Sequence, residues 1–148
     1  MWTPRSTRIP RRVADERHAR GLIDTSVVID LELIDSADLP LELAVSAVTM
    51  AELAAGPHAT ADAAERARRQ DRLQRAEATF EPLPVDAAVA RAYGRVYAAV
   101  GAAGRKARGR RAVDLLVAAT AVAAGLPLYT RNPDDFAGLS DLLEIVSV

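Results

Sequence analysis

Gly21-Leu22-Ile23-Asp24-Thr25-Ser26-Val27-Val28-Ile29-Asp30 is an apolar run broken by a single carboxylate. Leu22 and Ile23 lead into Asp24, and Val27 to Ile29 resume the apolar character. This pattern predicts a short buried strand that ends at an acid, with a helix starting just after. In open α/β sheets, ligands bind in the crevice beyond the carboxyl ends of the strands. An Asp at that point stands at the chemical mouth of the fold. The remaining segments read as a scaffold that brings further carboxylates to Asp24.

The chain has 148 residues, half of them hydrophobic, which suits one domain with one core. No apolar run is long enough to span a bilayer. The net charge of -1 announces no global field for nucleic acid. Cysteine is absent, which excludes disulfides and thiolate chemistry and fits a reducing compartment. The N-terminus has no apolar h-region, so a cytoplasmic location is expected. Residues 1–20 carry two prolines and arginines at 5, 8, 11, 12, 17 and 20, without a clean period. They are expected to form a disordered basic arm, either a plain tail or one that touches RNA or a partner. Residues 21–148 are expected to form the single folded domain.

Within that domain, strands and helices alternate. Leu22–Asp24 reads as a strand and Thr25–Asp35 as a helix. Leu43–Ser46 reads as a second strand, and Val48–Ala55 as a helix stopped by Gly56-Pro57. Ala61–Ala78 has helical spacing. Phe80–Val85 is extended, with Pro82 and Pro84 confining it to an edge. Asp86 is a candidate cap for a helix through Val100. Gly101–Arg111 reads as a Gly- and Arg-rich loop. Ala112–Ala124 is apolar nearly all round and reads as a central buried helix closed by Gly125. Leu128–Thr130 and Leu143–Val148 complete the strands, with a turn at Asn132–Phe136. The alternation predicts an α/β fold with a mostly parallel sheet.

Three more acids sit where a core would not choose them: Glu52, Asp114 and Asp135. Each has an ordinary explanation. Thr49 and Glu52 have capping-box spacing. Asp114 could favour a helix dipole. Asp135 could serve a turn, and Asp24 could cap the next helix. Taken together, all four fall near strand ends or helix starts, on the edge where a parallel sheet opens. Carboxylates gathered there repel one another, and a hard cation with oxygen ligands relieves that. Mg²⁺ suits such a set, because it keeps several waters and needs few carboxylates. With no Cys and only His18 and His58, zinc is implausible, and His58 reads as plain surface.

At these residues the sequence resembles the PIN-domain nucleases, and among them the VapC toxins of bacterial toxin–antitoxin pairs. The matching pieces are Leu-Ile-Asp24-Thr-Ser-Val, Ser46-Ala-Val-Thr49-Met-Ala-Glu52-Leu, Asp114-Leu-Leu-Val-Ala-Ala-Thr-Ala and Tyr-Thr130-Arg-Asn132-Pro-Asp-Asp135-Phe. Their order and spacing agree with the family from Gly21 onward. The arm before Gly21 departs from the family pattern. The resemblance implies a compact α/β/α sandwich around a central parallel sheet. It implies RNA cleavage dependent on Mg²⁺, for which Mn²⁺ can substitute. It also implies a VapB-like antitoxin that blocks the site, and a homodimer.

By the same resemblance, Asp24 and Asp114 match the usual metal ligands, and Glu52 matches the acid between them. The fourth position is either Asn132 or Asp135. Asp135 is favoured, with Asn132 as a hydrogen-bonding neighbour. Thr25 and Thr130 match hydroxyls that support the acids. An ion held by Asp24 and Asp114 would activate water, with Glu52 and Asp135 orienting that water or holding a second ion through it. Arg105, Lys106, Arg108, Arg110 and Arg111 precede Asp114 and could bind the RNA backbone, or form a solvated loop or an antitoxin contact. The arginines from Arg66 to Arg75 read as a helix surface. Two other functions stay open: an RNA-processing nuclease without an antitoxin, and a non-catalytic binding module on the same fold.

Overall fold

The computed structural model describes residues 17–105 and 109–148. Among them, four strands make one wholly parallel sheet in the order β2-β1-β3-β4. They are β1 (Arg20–Ile23), β2 (Glu42–Ala44), β3 (Leu128–Thr130) and β4 (Ile145–Ser147). The helices are α1 (Thr25–Ile29), α2 (Ala47–Ala55), α3 (Ala63–Thr79), α4 (Ala87–Ala102) and α5 (Arg110–Ala124). Short 3-10 turns occur at Leu31–Leu33, Ser36–Asp38, Gly56–Ala59 and Pro133–Phe136.

Strand periodicity sorts the core into two layers. Leu22, Ala44 and Leu128 point to one face and pack with Val96 and Val100 of α4 and Leu115 and Ala118 of α5. Ile23, Val45 and Tyr129 point to the other and pack with Val27, Leu53 and Ala76 of α1, α2 and α3. Successive residues of a strand face opposite sides, so a parallel sheet covered on both faces needs continuous apolar runs. Gly21 is required by close approach: a Cβ there would stand 2.6 Å from the Tyr129 ring.

Several boundaries differ from expectation. The helix expected over Thr25–Asp35 ends at Ile29 and gives way to the 3-10 turn of Leu31–Leu33. Three successive β-branched residues and Asp30 make poor helix propagators, and the tighter turn takes over. The Gly101–Arg111 loop shrinks, because alanine-rich sequence carries α4 to Ala102 and α5 starts at Arg110. The last strand is shorter than Leu143–Val148. Phe80–Val85 does join the sheet margin, through a parallel bridge from Leu83 to Ser46.

Residues 1–16 of the expected arm lie outside the described residues, but its last four are tied to the fold by hydrogen bonds and ion pairs. Arg17 donates to the carbonyls of Ser36 and Leu39, His18 pairs with Glu144 at 2.9 Å, and Arg20 opens β1. The folded region therefore begins before Gly21. Among the described residues, no helix is long and apolar enough to cross a membrane.

Candidate active site

The strand order reverses direction between β1 and β3: β2 lies beyond β1, and β4 beyond β3. A crevice opens at the carboxyl ends at such a switch point. Asp24 directly follows β1 there and Thr130 ends β3, and the two are joined across the gap. The Thr130 hydroxyl donates to Asp24 Oδ2 at 2.6 Å. Asp24 is also the cap of α1, accepting from the Val27 N–H at Oδ1, 3.1 Å away. The same oxygen accepts from the Ser26 hydroxyl at 2.5 Å. Asp24 is 7% exposed, so its capping role and its place in the crevice coexist in one buried side chain.

Glu52 is half-buried within α2 and accepts from the Thr25 hydroxyl at 2.7 Å. That proton is then committed, so in the 3.1 Å contact between Thr25 and Thr49 it is Thr49 that donates. Ser46 Oγ stands 3.3 Å from the Thr49 hydroxyl, so a file of hydroxyls leads from the start of α2 to Glu52. Capping of α2 differs from the Thr49–Glu52 spacing suggested by sequence. Ser46 is the cap and accepts from the Thr49 N–H at 3.0 Å. Glu52 is left free of any capping duty.

Asp114 is half-buried on α5 and lies past its first turn, which contains no acid. The helix dipole fades beyond that turn and does not account for an acid here. Its carboxyl is pushed up to about 6, first by burial, then by the charges of Asp135 and Glu52 and, more weakly, Asp24, while Arg110 pulls it down. Acids from three other segments thus bear on Asp114. Asp135 sits half-buried in the Pro133–Phe136 turn. Asp134 is exposed, and its carbonyl accepts from Arg105 at 3.0 Å.

Asn132 is exposed and contributes its main-chain N–H, which donates to Thr130 Oγ1 at 3.0 Å. Ser26 and Thr49 belong to the network but carried little sequence signal, since a single hydroxyl beside an acid is ordinary at helix starts. Of the basic run, Arg105 is tied to the Asp134 turn and Arg110 faces Asp114. Arg111 Nη1 is buried without a hydrogen-bond partner among the described residues. Lys106 and Arg108 lie outside the described residues. The α3 arginines are engaged as a helix surface: Arg68 and Arg69 pair with Glu65, and Arg75 with Asp71 and Glu32.

Among the described residues, no three His, Cys, Asp or Glu side chains form a ready-made cage for an ion. The donor set nevertheless fits one. It is all oxygen, and burial, with the charges of Asp135 and Glu52, raises the Asp114 carboxyl well above the ordinary carboxylate range. A cation that keeps most of its own waters needs only such a partial set.

The PIN domain family matches residues 21–142. The chain is 38% identical to Ribonuclease VapC5 of Mycobacterium tuberculosis, over 88% of its own length and 96% of that protein. It is 42% identical to Ribonuclease VapC8 of the same organism, over 68% of its length and 89% of that protein. Its structure matches the crystal structure of VapBC-5 from M. tuberculosis, a member of the VapBC family of toxin–antitoxin systems. The TM-score is 0.77 at 39% identity, covering 88% of this chain and 99% of that one. Ribonucleases of this kind are generally metal-dependent, which agrees with an oxygen-rich, acid-crowded crevice. The agreement runs over nearly the whole length of VapC5 and through the sheet that carries Asp24, and so this chain belongs to the PIN-domain family, among the VapC ribonucleases.

Proposed function

We propose that this chain is the toxin of a two-protein toxin–antitoxin pair, a metal-dependent endoribonuclease held silent by a VapB-like antitoxin. The carrying observation is the gathering of Asp24, Glu52, Asp114 and Asp135 from four segments near the carboxyl ends of β1 and β3, where burial and the other acids push Asp114 up to about 6. A crevice that concentrates negative charge without compensating it is built to receive a cation. Mg²⁺ is the ion proposed, with Mn²⁺ able to substitute. Asp24 and Asp114 would hold it directly, and Glu52 and Asp135 through water.

When bound, the ion supplies Lewis acidity toward a phosphoryl oxygen and lowers the pKa of water. The protein does the rest. Asp24 is held still by its three donors. Glu52 or Asp135 takes the proton of the attacking water. The water oxygen bonds to phosphorus as the bond to the 3′ oxygen breaks in line with it; that oxygen takes a proton from solvent, leaving a 5′-phosphate and a 3′-hydroxyl. Arg105, Lys106, Arg108, Arg110 and Arg111 are proposed to meet the RNA backbone, Arg105 while its Nη1 donates to the Asp134 carbonyl. An antitoxin Arg entering among the acids would neutralise them as a bidentate partner. The proposed site of action is the cytoplasm.

The test uses purified protein and total cellular RNA. Cleavage is expected with Mg²⁺ or Mn²⁺ and not with EDTA. Expression alone should arrest growth, and co-expression of a small neighbouring reading frame should restore it. Cleavage that persists in excess EDTA would overturn the metal assignment. Harmless expression in a related host would overturn the toxin assignment.

A further inference from the structure

We infer that Ser26 is a positioning residue: with Thr130 it locks both oxygens of Asp24 to the backbone that leads to Asp135. The inference rests on the ribonuclease reading above and adds to it a residue and a task.

The argument begins with proton counting. A hydroxyl has one proton to give. Ser26 Oγ accepts from the Arg131 N–H at 3.1 Å and gives its proton to Asp24 Oδ1. Thr130 Oγ1 accepts from the Asn132 N–H at 3.0 Å and gives its proton to Asp24 Oδ2. Two consecutive N–H groups after β3 are therefore each relayed through one hydroxyl to one oxygen of the same carboxylate. A carboxylate offers roughly four acceptor directions. Ser26 and Val27 fill those of Oδ1, and Thr130 takes one of Oδ2. The remaining direction belongs to Oδ2, so Asp24 is left to meet a cation through one chosen oxygen.

The relay also has a mechanical side. Arg131 and Asn132 open the segment that becomes the Pro133–Phe136 turn. The Asp135 N–H donates to the Asn132 carbonyl at 3.1 Å, which is the last link of the fastening. Asp24 and Asp135 are distant in the chain yet share it. Loss of the Ser26 hydroxyl would take one of the two donors from Oδ1 and leave the Arg131 N–H without its acceptor, while Oδ1 keeps the Val27 N–H.

The test is a Mg²⁺ titration of the full chain, followed by thermal melting, on wild type, Ser26→Ala, Ser26→Thr and Asp24→Asn. Amide exchange of Arg131 is read in the metal-free proteins. Ser26→Ala should raise the Mg²⁺ concentration for half the melting shift about tenfold or more, the usual scale for groups that orient ligands. Its Arg131 amide should exchange faster without metal. Ser26→Thr, which keeps the hydroxyl, should restore both. If Ser26→Ala does not fold, Ser26→Gly serves in its place. A variant without the hydroxyl that keeps wild-type Mg²⁺ dependence overturns the inference, whatever its stability in EDTA. So does a Thr variant that behaves like the Ala one. A wild-type protein without any Mg²⁺ shift overturns the metal reading itself, and this inference with it.

Discussion

Asp24 and Asp114 border the same crevice in opposite conditions. Asp24 is nearly sealed, yet its two oxygens receive donors from Ser26, Val27 and Thr130. Asp114 is less buried, yet burial and three acids push it up to about 6. One side of the crevice has its charge satisfied by the fold. The other has its charge left over. The difference shows two ways a fold can carry a buried acid: Asp24 is fixed by hydrogen bonds, while Asp114 is left with burial and the neighbouring charges of Asp135 and Glu52.

The largest expected effect removes the distinction. If both acids serve catalysis, Asp24→Asn and Asp114→Asn should each slow RNA cleavage by roughly 10²- to 10⁴-fold, since a lost Lewis acid is worth several kcal/mol. Single-turnover cleavage at saturating Mg²⁺ measures this. A variant at either position that retains near wild-type rate would remove that acid from the site.

Stability should then separate the two sides. Thr130→Val keeps the shape of the side chain but strips a donor from buried Asp24 and an acceptor from the Asn132 N–H. It should cost about 2–3 kcal/mol in urea unfolding, the scale for a hydrogen bond to a charged group. A cost below about 0.5 kcal/mol would mean that Asp24 is not held as the structure indicates.

On the Asp114 side the sign reverses. Its folded pKa of about 6 lies above the ordinary value of 3.8. The stability it contributes is therefore fully present below pH 3.8 and lost as pH rises through about 6. After allowance for solvent screening of a half-buried group, the loss should be about 1–2 kcal/mol. Metal-free wild type should weaken across that window relative to Asp114→Asn, and at pH 7 the variant should be at least as stable as wild type. Urea melts in EDTA at pH 4.5 and pH 7 decide it. A variant less stable than wild type at pH 7 would restore the helix-dipole explanation.

The smallest effect sharpens the middle of the crevice. Ser46→Ala removes the cap of α2, the helix that carries Glu52, and should cost about 1 kcal/mol in thermal or urea melts. The Mg²⁺ shift should survive, because Glu52 keeps its bond from Thr25. A lost shift would make the hydroxyl file part of the metal response.

Much of this was legible in the chain. The run from Gly21 to Asp30 announced a buried strand, an acid and a helix, and Asp24 proved to follow the strand directly and to cap the helix. Gly125, in the left-handed conformation at φ 66, closes α5 where the sequence placed its stop. What misled was local. The Thr49–Glu52 spacing imitated a capping box that Ser46 fills instead, alanine-rich sequence hid the end of α4, and the Arg110-Arg111 pair hid the start of α5.

By itself, the sequence determined the alternation of strands and helices, because apolar period and turn residues act over a few neighbours. It also determined which acids stand at strand ends and helix starts. The tertiary structure decided which of them meet. Strand order 2-1-3-4 brings the end of β1 beside the end of β3, and only then does Thr130 reach an Asp 106 residues away. Burial and repulsion on Asp114 come from residues on other segments, so no local pattern could report them. The same holds for Ser26: its neighbour Asp24 is visible in the chain, but the Arg131 N–H that loads its hydroxyl arrives through the sheet.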